Sequence, residues 1–124
     1  MNSLDIKKYD LEKKLDKIEK QRFGIKDDIK LNKERSRRVK ELEKNRRIDE
    51  NGNVSEIITT IQGGVIGYSV AGGGGGVKFY DNKKRLVAVE KASGTFTAKG
   101  KMISYSAVGL LLLGLKIARN SKIG

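Results

Sequence analysis

The chain is short and strongly basic, and it lacks several reactive residue types. Its 124 residues include 27 Lys and Arg against 15 Asp and Glu, a formal net charge of +12. That length suits one domain or two small modules, and the charge favours a polyanionic partner such as anionic lipid or nucleic acid. The chain has no Cys and no His. We therefore predict no disulfide, no metal, no other cofactor and no enzymatic activity, because the remaining titratable residues form no evident acid–base cluster.

Residues 1–50 are rich in charged, helix-forming residues and carry apolar residues at heptad spacing. Such spacing marks one apolar stripe on a helix. The stripe comprises Leu4, Leu11, Leu15, Ile18, Ile25, Ile29 and Val39. It predicts an amphipathic arm that pairs with another helix, either as one long coiled-coil-like helix through Gly24 or as a helical hairpin that turns there. The helix should stop near Ile48, and residues 51–56 form a turn and linker.

A basic cluster lies in the second half of this arm. Eight basic residues stand against three acidic ones between positions 33 and 47. The basic residues are Lys33, Arg35, Arg37, Arg38, Lys40, Lys44, Arg46 and Arg47. They could contact anionic lipid, at about 1 kcal/mol per residue, or nucleic-acid phosphates, or only solvent. Lipid is the favoured interpretation, because no aromatic residue interleaves the cluster to stack on bases.

Residues 57–77 form the first of two apolar segments and carry no charge over 21 residues. As a helix this segment would extend about 31 Å, which matches a bilayer core of about 30 Å. Gly63, Gly67, Ala71 and Gly75 lie four residues apart. This spacing places small residues on one helix face and predicts close helix packing in a first transmembrane helix. A glycine-rich loop is the alternative.

The second apolar segment, residues 102–118, predicts a second transmembrane helix, followed by a basic tail at 119–124. Lys101, Tyr105, Lys116 and Arg119 would anchor it at the membrane interface. Between the two segments, residues 78–101 form a basic loop. Within this loop the β-prone stretches Leu86–Val89 and Thr95–Thr97 could pair as a small β-hairpin.

These features together predict a mainly α protein: a helical arm followed by two transmembrane helices. The predicted function is that of a membrane structural or assembly protein, located in a cellular membrane or in the internal membrane of a virion. Its partners would be an anionic bilayer and further protein subunits, as a homo-oligomer or larger assembly.

Two alternatives remain open. The two apolar segments and the basic end at Lys116, Arg119 and Lys122 resemble the layout of phage holins. That resemblance implies a membrane-permeabilising protein. The second alternative is a soluble, basic nucleic-acid-binding protein in which the apolar runs form the core of a small α+β domain.

Overall fold

The computed structural model describes residues 2–72 and 74–121, and within them the chain folds as an α+β protein. The helices are α1 (Ser3–Phe23), α2 (Asp28–Glu43) and α3 (Tyr105–Ser121). The strands are β1 (Glu56–Thr59), β2 (Val65–Ala71), β3 (Val77–Tyr80), β4 (Leu86–Lys91), β5 (Gly94–Thr97) and β6 (Met102–Ile103). Gly73, in the first apolar segment, and Lys122, in the basic tail, lie outside the described residues.

The six strands form one antiparallel sheet in the order β1-β2-β3-β4-β5-β6, so that each strand pairs with its neighbours in sequence. Four of the connecting loops are closed by the same backbone hydrogen bond, from the amide of the first residue to the carbonyl four residues later. These bonds join residues 60 and 64, 72 and 76, 81 and 85, and 97 and 101, at 2.8–3.0 Å. Gly63, Gly75 and Gly100 adopt positive φ in three of these loops, where a Cβ would be strained.

The predicted transmembrane helix at 57–77 is wrong, because this segment contains β1, β2 and the start of β3. Most of its β-branched residues lie in two short runs, Ile57–Ile61 and Val65–Ile66, separated by glycines. β-Branched side chains fit a pleated strand, whereas glycines in a helix interior cost up to about 1 kcal/mol each. Apart from Gly67, which lies within β2, the described glycines of this segment lie in the turns between strands.

The second predicted transmembrane segment is also wrong. Its first residues form β6, and the helix that follows carries Lys116 and Arg119 within its length. Among residues 2–72 and 74–121, no helix combines the length and the apolar character that crossing a bilayer requires. Four predictions rested on those two spans and are wrong with them. They are the transmembrane helices, the membrane location, the virion-membrane assignment and the holin-like alternative.

The arm is two helices rather than one. α1 ends at Phe23, and Gly24 follows in the left-handed conformation at φ 68°. Its hydrogen bonds, with those of Ile25, cap the last carbonyls of α1. α2 then begins after Asp27, whose carboxylate accepts the amide of Lys30 at 2.8 Å. The continuous coiled-coil-like helix was wrong, and the chain reverses at the glycine as in a helical hairpin.

The core lies between the sheet, α3 and α1. α3 contributes Val108, Leu112, Leu113 and Ile117, α1 contributes Leu15, and the strands contribute Ile66, Phe79 and Ala88. The β4–β5 pair coincides with the β-hairpin predicted from sequence, but its strands also pair with β3 and β6 in the sheet rather than forming a separate hairpin in a loop between membrane helices. Each apolar segment thus contributes part of its side chains to the core, while others, such as Ile61 and Met102, are exposed.

Candidate nucleic-acid interface

The outward face of α2 carries a row of cationic side chains. Lys30, Lys33, Arg37, Lys40 and Lys44, here called the basic stripe, follow one another at spacings of three and four residues and are all exposed. This spacing places side chains on one face of a helix. The opposite face of α2 holds Leu31 and Arg35, which are buried. The helix is therefore oriented by its buried face so that the stripe points to solvent.

The lysines of the stripe have free charges. In the part of the chain that the structure describes, Lys30, Lys33, Lys40 and Lys44 form no ion pair with a carboxylate. Arg37 differs, because it pairs with Glu34 and, at 2.6 Å, with Glu41. Its hydrogen bond with Glu34 is the main reason that the pKa of Arg37 is raised. The stripe thus offers four unpaired ammonium groups around one oriented guanidinium.

The dimensions of the stripe suit a phosphate backbone. From Lys30 to Lys44 the helix rises about 21 Å at about 1.5 Å per residue. Asn32 and Ser36 lie beside Lys33 in a shallow groove on the same surface. Polar side chains of this kind commonly complete phosphate contacts made by Lys and Arg.

The structure separates the eight cations of the predicted cluster. Lys33, Arg37, Lys40 and Lys44 lie on the stripe, while Arg35, Arg38 and Arg46 line a cavity on the inner side of α2. Arg47 donates to the Gly52 carbonyl at 3.3 Å within its own loop. Lys30 belongs to the stripe but was missed from the sequence. Its spacing of three residues from Lys33 was the available signal.

Arg35 was predicted to contact a polyanion at the surface, but it is the most deeply buried cation of the cluster. Its side chain is 2% exposed and bridges two carboxylates of α1, Asp16 at 2.8 Å and Glu19 at 2.7 Å. The group is closed by the β1–β2 turn, because a Cβ at Gly64 would come within 3.0 Å of both Arg35 and Glu19. Arg35 joins the two helices of the arm and cannot contact an external polyanion from this position.

Some residues of the predicted arm interface pack in the protein's own core. Leu15 is fully buried, and Leu11 and Ile18 pack against the same cluster. Ile25 and Val39 are partly buried, whereas Leu4 and Ile29 are exposed. Three of the seven residues of the heptad stripe therefore pack against α3 and the sheet within one chain, which removes the basis for a coiled coil.

The small residues predicted to pack helices lie in the sheet and its turns. Gly63 and Gly75 are turn residues, and Ala71 ends β2. Gly67 does permit a close approach, but between β2 and its surroundings rather than between two membrane helices. A Cβ there would collide with the Tyr80 carbonyl oxygen and lie 3.1 Å from Leu112 of α3.

The four predicted membrane anchors are placed differently from one another. Lys101 is exposed in the β5–β6 turn, and Tyr105 is exposed at the start of α3 with its ring 6.0 Å from that of Phe79. Arg119 pairs with the buried carboxylate of Asp81. Lys116 lines the inner cavity. The structure does not bring these four side chains together at one surface.

Comparison of the chain with protein-family models, with curated proteins and with solved structures found no match in any of the three.

Proposed function

We propose that this protein binds nucleic acid through the basic stripe of α2. The observation that carries the proposal is the row of five exposed cations on one helix face, four of them lysines that form no ion pair with any described residue. A cationic stripe along a helix is the electrostatic footprint of phosphate-backbone recognition. The net charge of +12 supports it, since such a surplus attracts polyanions over long distances.

The recognised feature is the phosphate backbone rather than the bases. No aromatic residue lies between positions 30 and 44. Single-strand binders usually combine cations with aromatic stacking platforms, and base readout needs side chains inserted into a groove. A lysine-rich row that has neither aromatic stacking platforms nor side chains inserted into a groove neutralises phosphates on the surface of a duplex. Binding is therefore expected to be independent of base sequence and strongly dependent on salt.

The test is a salt series of fluorescence anisotropy with a labelled DNA duplex. Each neutralised phosphate contributes a slope of about −0.9 to a plot of log affinity against log salt, so five contacts predict a slope of about −4.5. Lys33→Ala/Lys40→Ala should make the slope shallower by about 2. Lys99→Ala/Lys101→Ala removes the same charge from the β5–β6 turn and is the matched control.

Two results would contradict the proposal. If the control pair changed the slope as much as the stripe pair, the attraction would be a general effect of net charge. If the protein bound anionic vesicles but not the duplex, the polyanion would be a lipid surface. Equal affinity for two unrelated duplex sequences, with loss only in the stripe variant, is the result expected here.

A further inference from the structure

A cavity of about 460 Å³ lies behind α2, on the side opposite the basic stripe. It is bounded by the ends of α1 and α2, the segment that follows α2, the sheet, and the C-terminal half of α3. Its cationic lining residues are Arg22, Arg35, Arg38, Arg46, Lys84 and Lys116. Arg22, Arg38 and Lys84 are exposed and form its rim, whereas Arg35 is buried in its wall. The cavity is thus open to solvent at a cationic mouth.

The charge of this lining is not balanced within the cavity. Six cations line the cavity with two carboxylates, Glu19 and Glu41. Three of the cations are ion-paired: Arg35 with Asp16 and Glu19, Arg38 with Glu34, and Arg46 with Glu56. Glu19 is engaged by Arg35 at 2.7 Å, and Glu41 by Arg37 at 2.6 Å on the outer side of the helix. Across the described ranges, 2–72 and 74–121, Arg22, Lys84 and Lys116 form no ion pair. A ligand entering the cavity meets a net positive potential.

Lys116 is the lysine of this lining on which burial and neighbouring positive charges act together. Burial lowers the pKa of its ammonium group, Glu19 opposes that effect, and the charges of Arg22 and Arg38 lower the pKa further. A lysine in this setting destabilises the fold unless something compensates its charge, because desolvation and like charges both disfavour the ammonium form. Its position among three arginines, Arg119 included, fits a role in binding an anion.

The remaining lining supplies directed polar groups and an apolar wall. Within the structure as described, Arg46 Nε and Asn82 Oδ1 are buried without hydrogen-bond partners. Asn82 Nδ2 donates to the Val65 carbonyl at 3.1 Å, which fixes the orientation of the amide. Phe23 and Tyr68 contribute aromatic surface, and the guanidinium of Arg38 lies 4.0 Å from the Phe23 ring centre. Small-molecule sites combine such apolar walls with a few convergent polar groups, in volumes of about 300–1,000 Å³.

We propose that this cavity binds a small phosphate monoester, with Lys116 and the surrounding arginines holding the phosphate. Arginine and lysine provide the charge-assisted hydrogen bonds that phosphate oxygens accept, and the aromatic wall accommodates a planar group such as the base of a nucleotide. The proposal does not rest on the nucleic-acid function of the basic stripe, because the two surfaces lie on opposite sides of α2.

The experiment titrates the full chain with adenosine monophosphate by isothermal titration calorimetry, with adenosine as the phosphate-free comparison. Lys116→Met keeps the length and apolar stem of the side chain while removing its charge. We expect it to weaken binding of the monophosphate about tenfold or more, since hydrogen bonds to charged groups are among the strongest. It should leave thermal stability unchanged or raised, which separates loss of binding from loss of fold. Lys99→Met, in the exposed β5–β6 turn, is the matched control and should bind as the unmodified protein does. Lys33→Met shows whether the monophosphate binds at the basic stripe instead.

A second readout locates the ligand directly. On addition of the monophosphate, the NMR resonances of the Arg46 Nε–H group and the Asn82 amide should shift, because these groups line the cavity. Absence of binding, binding equal to that of adenosine, or a loss caused by Lys33→Met but not by Lys116→Met would overturn the proposal. The duplex titrations use different variants, so either proposal can fail without the other.

Discussion

Buried charge is the dominant feature at the scale of single residues. The Arg35 guanidinium is enclosed with Asp16 and Glu19, at a place where two helices and a turn meet. Taking charges out of water is costly, and the cost is offset only when every member of the group is paired. This group therefore fixes how α2 sits on α1, and its members depend on one another.

Arg35→Met should destabilise the protein by about 3–5 kcal/mol, because it leaves two carboxylates buried without their cation. The measurement is the free energy of unfolding in urea. In an Asp16→Asn/Glu19→Gln background the same substitution should cost less, since no buried negative charge remains. Arg37→Met, at the exposed pairs of the stripe, should have a much smaller effect. Equal unfolding midpoints for the two arginine variants would contradict this assignment.

Asp81 is a third buried carboxylate, after Asp16 and Glu19, and it joins the sheet to α3. It is 3% exposed, accepts the amides of Lys83 and Arg85 at 2.9 and 3.0 Å, and pairs with Arg119. Burial raises the pKa of Asp81, but the hydrogen bond from Arg119 and those from the two amides outweigh burial, and the net pKa lies below the ordinary value of 3.8. The folded state therefore favours the charged carboxylate.

The pH dependence of the protein's stability follows from this lowered pKa of Asp81. The stability that Asp81 contributes is complete above its ordinary pKa of 3.8 and is lost as the pH falls through the lowered value. Asp81→Asn should lower the free energy of unfolding by about 1–3 kcal/mol at neutral pH, the range for hydrogen bonds to charged groups. The difference should shrink once the pH falls below about 4. A constant difference between pH 7 and pH 2, measured by urea unfolding, would show that its charge is unimportant.

Glycine acts in opposite ways in different elements. Gly67 lies in β2, where the neighbouring strand and α3 leave no room for a Cβ. Gly109 lies inside α3, and among the described residues no atom would come within 4 Å of a Cβ there. The first glycine is needed for packing, whereas the second only weakens its helix by leaving the unfolded chain more flexible.

Gly67→Ala should therefore destabilise by about 1–3 kcal/mol, the usual cost of overpacking. Gly109→Ala should stabilise by up to about 1 kcal/mol through helix propensity. Thermal unfolding followed by circular dichroism measures both. If Gly67→Ala raised the midpoint as Gly109→Ala does, the close contact expected between a Cβ at position 67 and the Tyr80 carbonyl oxygen would be contradicted.

At the scale of the whole molecule, the helical arm and the sheet share one core. Leu15 of α1 lies in the same buried cluster as Leu112 of α3 and Phe79 of β3. A small domain with a single core usually unfolds in one cooperative step. The arm is therefore expected to unfold with the sheet rather than separately from it.

Leu15→Ala should lower the free energy of unfolding by about 2–5 kcal/mol, as large-to-small core substitutions do. The test uses a Tyr9→Phe background, in which the remaining tyrosines all lie outside the arm. The far-ultraviolet signal of the helices and the tyrosine fluorescence should then shift together. Ile29→Ala is the matched control from the same heptad stripe, and at 71% exposure it should change stability by no more than about 0.5 kcal/mol. A helical signal that persists after the tyrosine signal is lost would show that the arm is independent.

Local patterns in the sequence were sufficient for features that depend on near neighbours. The helical character of the arm, the turn at Gly24 as one of two alternatives, and the strands at Leu86–Val89 and Thr95–Thr97 follow from capping, periodicity and β-propensity. The basic cluster was also visible, because charge is a property of composition. These signals act over a few residues, so no knowledge of the fold was needed to read them.

Only the tertiary structure decided where the apolar segments and the individual cations lie. A bilayer and a protein core both accept uncharged residues, so Ile57–Val77 alone did not distinguish a membrane helix from strands separated by glycine turns. Similarly, Arg35 and Arg37 are two residues apart in a uniformly basic stretch, yet one is buried and the other is exposed. That separation arises because α2 packs one face against α1 and the β1–β2 turn. Long-range packing therefore determines which charges enclose a cavity and which meet the solvent.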